Sequence, residues 1–319
     1  MTERVDYDEF AMFGENAAEY GLPVDRPPTV RRVFAEVAPG RRLSALVWQD
    51  QDPELVLLHG GAQNAHTWDT VAMALGRPLL AIDLPGHGHS DGPGDRTEGQ
   101  LDADGNAADV ATAIGQLAPA AKAVVGMSLG GLTAIALAGQ APDLVRKIVL
   151  VDVLPGMKAQ RVKHIMNFIT GPASFASLDE LVERTALFNP ARSRASLRRG
   201  ILHNAEQQPD GSWVWRWARH RQPAGPAGTG PDGARPDGTG PDGTEYGRLW
   251  ETLSSITVPL LLARGMRRDS VVDDDNENEL RRRLPSAQVV HVEQAGHSVQ
   301  GDAPVELAEI IEQFVFSPC

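Results

Sequence analysis

The stretch Ala123-Val124-Val125-Gly126-Met127-Ser128-Leu129-Gly130 decides the fold. Its apolar start reads as a strand covered on both faces, and the run from Leu129 to Ala138 that follows is helix-prone. Between them lies a Gly-x-Ser-x-Gly turn joining strand to helix. Such a turn forces its serine into an unfavourable backbone conformation and projects the hydroxyl, and small residues at Gly126 and Gly130 let neighbouring backbone pack close. The N-terminus of the following helix directs free N–H groups and a positive dipole end toward negative charge that develops in acyl transfer. Ser128 is thus the candidate nucleophile; the simpler alternative is a serine that only caps a helix.

Outward from this turn, short apolar runs recur at Leu55 to Leu58, Leu79 to Ile82 and Ile148 to Val151. Helical stretches separate them near His66 to Leu75, Asp104 to Leu117 and Leu129 to Gly139. This alternation predicts parallel βαβ units. Before it, Val30 to Val37 and Arg42 to Trp48 read as a hairpin turning at Pro39-Gly40. The pattern stops after Asp152 and resumes at Pro259 to Leu262, with a helix at Asn276 to Leu284, a strand at Val289 to Val292 and a last helix at Pro304 to Val315. The expected organisation is an α/β core of residues 1–154 and 249–319 with a cap insert at 155–248. Within the insert, Val162 to Phe168 is amphipathic, and Ser177-Leu178-Asp179-Glu180 fits a capping box. Residues 223–244 are built almost wholly from Pro, Gly, Ala, Asp and Thr, which have little to bury; a mobile, tolerated loop is the expectation.

Composition narrows the function classes. A formal net charge of −12, from 42 acidic against 30 basic side chains, argues against a polyanionic partner such as nucleic acid. No apolar run spans a bilayer and no signal-peptide pattern opens the chain, so a cytoplasmic protein is expected. The single cysteine, Cys319, rules out an intrachain disulfide, and the histidines show no metal-ligand spacing; neither metal nor cofactor is expected. Whether the chain is a monomer or a homodimer is not legible.

Four motifs occur in a telling order: Leu58-His59-Gly60-Gly61, Asp83-Leu84-Pro85-Gly86-His87-Gly88-His89-Ser90, the Ser128 turn, and Ala295-Gly296-His297-Ser298. Together they resemble the α/β-hydrolase fold superfamily over nearly the whole chain outside the cap. The resemblance implies a mostly parallel sheet flanked by helices, an esterase-like Ser-His-Asp triad, and an oxyanion hole formed by the N–H groups of Gly61 and Leu129. Serine needs a neighbouring base, and imidazole titrates in the useful range. His297, in a loop between the last strand and the last helix, has the address for that base. His87 and His89 read as loop-shaping residues, His59 as one that hydrogen-bonds backbone, and His164, His203 and His220 fall in the cap.

Two carboxylates compete for the acid. Asp269 follows the strand at 259–263 in the turn Gly265-Met266-Arg267-Arg268-Asp269-Ser270, one residue later than the common family slot. Asp152 ends the strand after the Ser128 helix, and some family members resemble that placement, with a serine in the usual slot, as Ser270 suggests. A carboxylate ending an apolar strand calls for a partner, whereas Asp269 beside two arginines suits a surface ion pair. Asp152 is favoured.

For the pocket, Trp68 and Met127 are candidate walls, and the cap offers Met157, Met166, Phe168, Phe175, Leu187, Phe188, Trp213, Trp215 and Trp217. The last three alternate, so in an extended chain they share a face, packing the cap or lining the pocket. The cap also carries Lys158, Arg161, Lys163, Arg192, Arg194, Arg198 and Arg199, a solvated face or a source of one carboxylate-binding arginine. The expected partner is a small-molecule ester, and similarity to monoalkyl phthalate-type hydrolases points to monoesters of aromatic dicarboxylic acids. The same scaffold hosts carbon–carbon bond hydrolases, lactonases and amidases, and a non-catalytic ligand receptor is a further alternative. Serine at the turn argues against the dehalogenases and epoxide hydrolases of similar architecture, which use aspartate.

Overall fold

Strands of aliphatic residues with no polar face can only be buried on both sides, and that is how the sheet is built. The structure, a computed structural model, describes residues 4–23, 28–94, 103–190, 192–218 and 244–317. Of the expected low-complexity loop, all but Thr244 lies outside the described residues, as does Cys319. In chain order the strands are β1 (Val30–Ala38), β2 (Arg41–Trp48), β3 (Leu55–Leu58), β4 (Leu79–Ile82), β5 (Ala123–Met127), β6 (Ile148–Val151), β7 (Ser174–Phe175), β8 (Ala205–Gln207), β9 (Trp213–Trp215), β10 (Leu260–Gly265) and β11 (Gln288–Val292). The helices are α1 (Phe13–Glu19), α2 (Asp69–Leu75), α3 (Ala103–Leu117), α4 (Leu129–Gln140), α5 (Ala159–Ile169), α6 (Leu178–Phe188), α7 (Arg194–Asn204), α8 (Thr244–Ser255), α9 (Asp274–Arg283), α10 (Val299–Asp302) and α11 (Pro304–Phe316).

The main sheet has the order β1-β2-β4-β3-β5-β6-β10-β11. From β4 to β11 every pairing is parallel, and the β1-β2 hairpin joins β4 antiparallel at one edge. Side chains alternate across the sheet and so divide between two cores. Val56, Leu58, Leu80 and Val124 pack under α3, α4 and α8, while Leu55, Leu57, Leu79 and Val125 pack under α2 and α11. Each fully buried leucine contributes about 1.5–3 kcal/mol relative to exposure, so β3, with all four side chains at 0% exposure, anchors both layers.

Between β6 and α8 the chain folds over the carboxyl edge of the sheet as α5, α6 and α7 with a small antiparallel sheet ordered β7-β9-β8. Phe175, Leu181, Leu202, Trp213, Trp215 and Trp217 form its own core. Ser177 caps α6 by accepting the Glu180 N–H at 3.2 Å, but the Glu180 carboxylate reaches the N–H of Ala176 rather than that of Ser177, closing the box one residue early. Residues before β1, which read from sequence only as a polar start, contain α1, whose Phe13 ring packs 5.1 Å from that of Trp48.

Candidate active site

Each strand that ends at the sheet's carboxyl edge delivers one functional segment. At the end of β5, Ser128 has φ +51° and ψ −118°, a backbone conformation that non-glycine residues rarely adopt. The turn closes because its neighbours lack side chains. A Cβ on Gly130 would stand 2.2 Å from the Leu58 carbonyl oxygen, and one on Gly126 would stand 2.4 Å from the Gly130 carbonyl oxygen. The N-terminus of α4 therefore packs directly on the end of β3.

At the end of β6, Asp152 is fully buried and also takes a positive φ, +46°. Its carboxylate accepts four hydrogen bonds: Oδ1 from Gly265 N–H at 3.0 Å and Ser270 Oγ at 2.6 Å, Oδ2 from Val271 N–H at 3.0 Å and His297 Nδ1 at 2.9 Å. The donor set fixes the plane of the carboxylate. With Nδ1 donating to a carboxylate, the unprotonated nitrogen of a neutral His297 is Nε2. Asp269 is exposed and lies against Gly296, where an added Cβ would meet its carboxylate at 2.3 Å. It lines the same cavity, but the hydrogen bond to His297 belongs to Asp152. Ser270, the next residue of that turn, donates to Asp152 instead.

The segment after β3 is pinned so that one N–H remains available. Gly60 N–H donates to Gln63 Oε1 at 3.1 Å, Ala62 N–H donates to His87 Nε2 at 3.1 Å, and Asn204 Nδ2 from α7 donates to the Ala62 carbonyl at 2.6 Å. Among the described residues, neither Gly61 N–H between them nor Leu129 N–H at the start of α4 has an acceptor. His59 ties this segment to the end of β4: Nδ1 donates to the Gly60 carbonyl at 2.7 Å and Nε2 accepts the Leu84 N–H at 2.9 Å. Burial holds its pKa down at about 3, so it stays neutral as that geometry requires.

Ser128, Leu129, Gly61, Met127 and His297 all line one cavity of about 830 Å³ beneath the cap. Phe168, Phe188, Trp215 and Met166 give it apolar walls. Trp68 is not among them: the turn Ala65–Trp68 aims its indole under the sheet, where it is 0% exposed in the core beside α2. Trp213 and Trp217 likewise belong to the cap's interior, and Leu187 points into water at 77% exposure. The cap's cations also divide. Lys158 pairs with Asp273 and Asp275, Arg161 with Asp273, Arg194 with Glu183 and Arg199 with Glu19.

Among the described residues the fold brings together His66, Asp69 and His203, a group that no local spacing announces. Their ligand atoms approach within 4.8 Å, but the two imidazoles stack at 3.8 Å with planes 12° apart. In-plane lone pairs of nearly parallel rings cannot meet on one ion, so the arrangement suits a polar bridge better than a metal centre. Burial alone would lower the His66 pKa. Asp69 at 2.9 Å from Nδ1 and Glu9 at 3.3 Å from Nε2 raise it instead to about 9. The neutral His203 ring, reached by the Tyr7 hydroxyl at 2.8 Å, stacks on this cation.

Residues 55–310 match the model of the alpha/beta hydrolase family. The chain is 40% identical to the esterase Rv0045c of Mycobacterium tuberculosis over 317 residues, 97% of this chain and 96% of that protein. A crystal structure of that esterase superposes with a TM-score of 0.79 at 38% identity, covering 99% of this chain and 100% of the other. A more distant relative, the sn-1-specific diacylglycerol lipase ABHD11 of Xenopus laevis, is 27% identical over 83% of this chain and 80% of its own length. No described helix is long and apolar enough to cross a membrane. By its sheet order, its strand-end segments and these likenesses, the chain belongs to the alpha/beta hydrolase family.

Proposed function

We propose that this protein hydrolyses carboxylic esters through an acyl-enzyme formed on Ser128. The observation that carries the reading is the buried Asp152–His297 hydrogen bond, at 2.9 Å, on the sheet edge where the strained Ser128 faces the same cavity. In the acylation step His297 Nε2 takes the Ser128 Oγ proton as Oγ attacks the ester carbon. Asp152 holds the imidazole in the required tautomer and stabilises the imidazolium. The carbonyl oxygen, now an oxyanion, accepts the N–H groups of Gly61 and Leu129, each worth about 3 kcal/mol of barrier in comparable sites. The intermediate collapses as His297 returns the proton to the leaving alkoxide. Water then enters, gives its proton to His297 and releases the acid by the reverse sequence.

The esterase name of the M. tuberculosis relative supports ester over amide or carbon–carbon cleavage. The aromatic walls Phe168, Phe188 and Trp215 favour an aromatic or apolar acyl group, consistent with a monoester of an aromatic dicarboxylic acid. A fluorophosphonate probe and a panel of short, long and aromatic monoesters test the proposal. Wild type is expected to be labelled once and to turn over esters, and Ser128→Ala to do neither. An unlabelled Ser128 with no ester turned over would return the choice to a ligand-binding protein. Turnover of amides, lactones or carbon–carbon substrates alone would replace the reaction.

A further inference from the structure

A guanidinium withdrawn from water loses hydration that only an acceptor can restore, and it normally sits against a carboxylate. Arg32, Arg199 and Arg264, the most deeply withdrawn of those paired, follow this rule with Asp83, Glu19 and Glu277. Four arginines line the catalytic cavity: Arg161, Arg192, Arg199 and Arg268. Arg161 and Arg199 hold carboxylates, and Arg268 is exposed to water. Arg192 is half-buried and, among the described residues, has no carboxylate within ion-pair distance.

Its contacts show how it is held. Nη2 donates to Ser196 Oγ at 2.8 Å, one turn along the start of α7. Nε is buried and has no hydrogen-bond partner. The guanidinium packs on Gly301, where an added Cβ would lie 3.1 Å from Nη1 and 3.2 Å from Ser298 Oγ. Gly301 follows His297 by four residues, so the charge sits beside the histidine-bearing segment. The neighbouring carboxylates act on Arg192 only through space, beyond ion-pair distance: Glu19 bonds to Arg199 and Ser193, and Asp302 accepts the Gly296 N–H at 2.9 Å. In a chain with a net charge of −12, Arg192 thus lines the substrate cavity with no carboxylate in ion-pair contact among the described residues.

We infer that Arg192 is an anion subsite of this cavity, selecting esters whose acyl part carries a free carboxylate. The inference rests on the ester-hydrolase reading and adds the residue that would recognise a free carboxylate on the acyl part. A planar carboxylate matches the guanidinium edge formed by its two terminal nitrogens, so its oxygens can take terminal N–H groups there. Binding there gives the long axis of a half-ester one direction in the cavity, with its charge held against α7 and α10.

The test uses matched p-nitrophenyl esters: the neutral butyrate against the hydrogen succinate, glutarate and adipate, whose acyl chains end in a carboxylate. Wild type should prefer one member of the charged series to butyrate. Arg192→Gln should lower kcat/KM on that member roughly tenfold to a hundredfold, chiefly through KM. Its effect on butyrate should stay under about threefold, and Arg192→Lys should restore part of the loss. Parallel losses on charged and neutral esters, or none on either, would overturn the inference. If Arg192→Gln melts well below wild type, free glutarate serves instead, as an inhibitor of wild-type butyrate hydrolysis. Competitive, salt-weakened inhibition supports the subsite, and absence of inhibition at tens of millimolar rejects it. Turnover of butyrate with Ser128 labelled, but no preference for charge, sinks this inference and leaves the esterase reading standing; no turnover of any ester sinks the esterase reading itself.

Discussion

Replacing Asp152 by asparagine removes one charge while changing little else, because asparagine tolerates the left-handed conformation at φ +46° that would strain alanine. All four groups around the carboxylate donate in the native structure. An amide cannot accept on both sides. If its NH2 replaces Oδ1 it confronts the Gly265 N–H, while Ser270 Oγ can turn its proton to the Val272 carbonyl, 3.1 Å away, and accept. If it replaces Oδ2 it confronts Val271 N–H and forces His297 into the wrong tautomer. Either orientation sets an amide N–H against a backbone N–H and leaves buried donors orphaned, so the expected stability loss is about 1–3 kcal/mol. Activity should fall further, because the imidazolium formed during acylation loses its counter-charge even when the tautomer survives; about 10³–10⁴ in kcat is the expected scale. Asp269→Asn, at an exposed carboxylate, should change kcat by less than about threefold. Steady-state hydrolysis of p-nitrophenyl butyrate, with thermal melts of both variants, supplies the comparison. Asp152→Asn retaining a tenth of wild-type activity, or Asp269→Asn losing a thousandfold, would refute the assignment of the acid.

Two further outcomes follow from the geometry. Gly130→Ala places a methyl 2.2 Å from the Leu58 carbonyl oxygen, backbone against backbone, so α4 must move off β3; it should destabilise the fold by several kcal/mol and appear as aggregation or a large drop in melting temperature, and a native-like melt would contradict the packing described. The His66 pKa, raised to about 9 against an ordinary 6.5, contributes stability that is complete below about pH 6.5 and is lost as pH rises through 9. The urea stability gap between wild type and His66→Gln should therefore narrow from pH 6 to pH 10, and a gap independent of pH would show that His66 is not charged in the folded state.

Much of the site was legible because its parts lie where periodicity changes. A four-residue aliphatic strand followed by a glycine turn marks a sheet edge in sequence, and the segments His59-Gly60-Gly61, Gly126 to Gly130, Asp152 and Ala295 to Ser298 all occupy such edges. The choice between Asp152 and Asp269 was narrower, since both stand after strands and both approach the His297 loop. It is the carboxylate's burial and its four donors that separate them, and burial of a single polar residue depends on what folds over it. Trp68 was misplaced for a related reason. Proximity in sequence to Gly61 suggested the pocket, but a single turn of 3₁₀ helix rotates successive side chains by about 120°, and that turn sends the indole under the sheet.

The N-terminal segment carries the other half of the argument. No periodicity in residues 4–20 marks them as functional, and they precede the region that matches the family. Yet Asn16 and Glu19 hold Arg199 of α7, Tyr7 reaches His203, Glu9 bonds to both Arg32 and His66, and the Tyr20 hydroxyl donates to the Gly301 carbonyl beside the histidine loop. Asn16 and Tyr20 also line the cavity. The cap is thus positioned by a segment more than a hundred residues away in sequence, through polar contacts whose partners become recognisable only once the chain has folded. Arg192 gains its meaning the same way: in sequence it is one of many basic residues in the cap, and it stands out only because Glu19 of this strap is already bonded to Arg199.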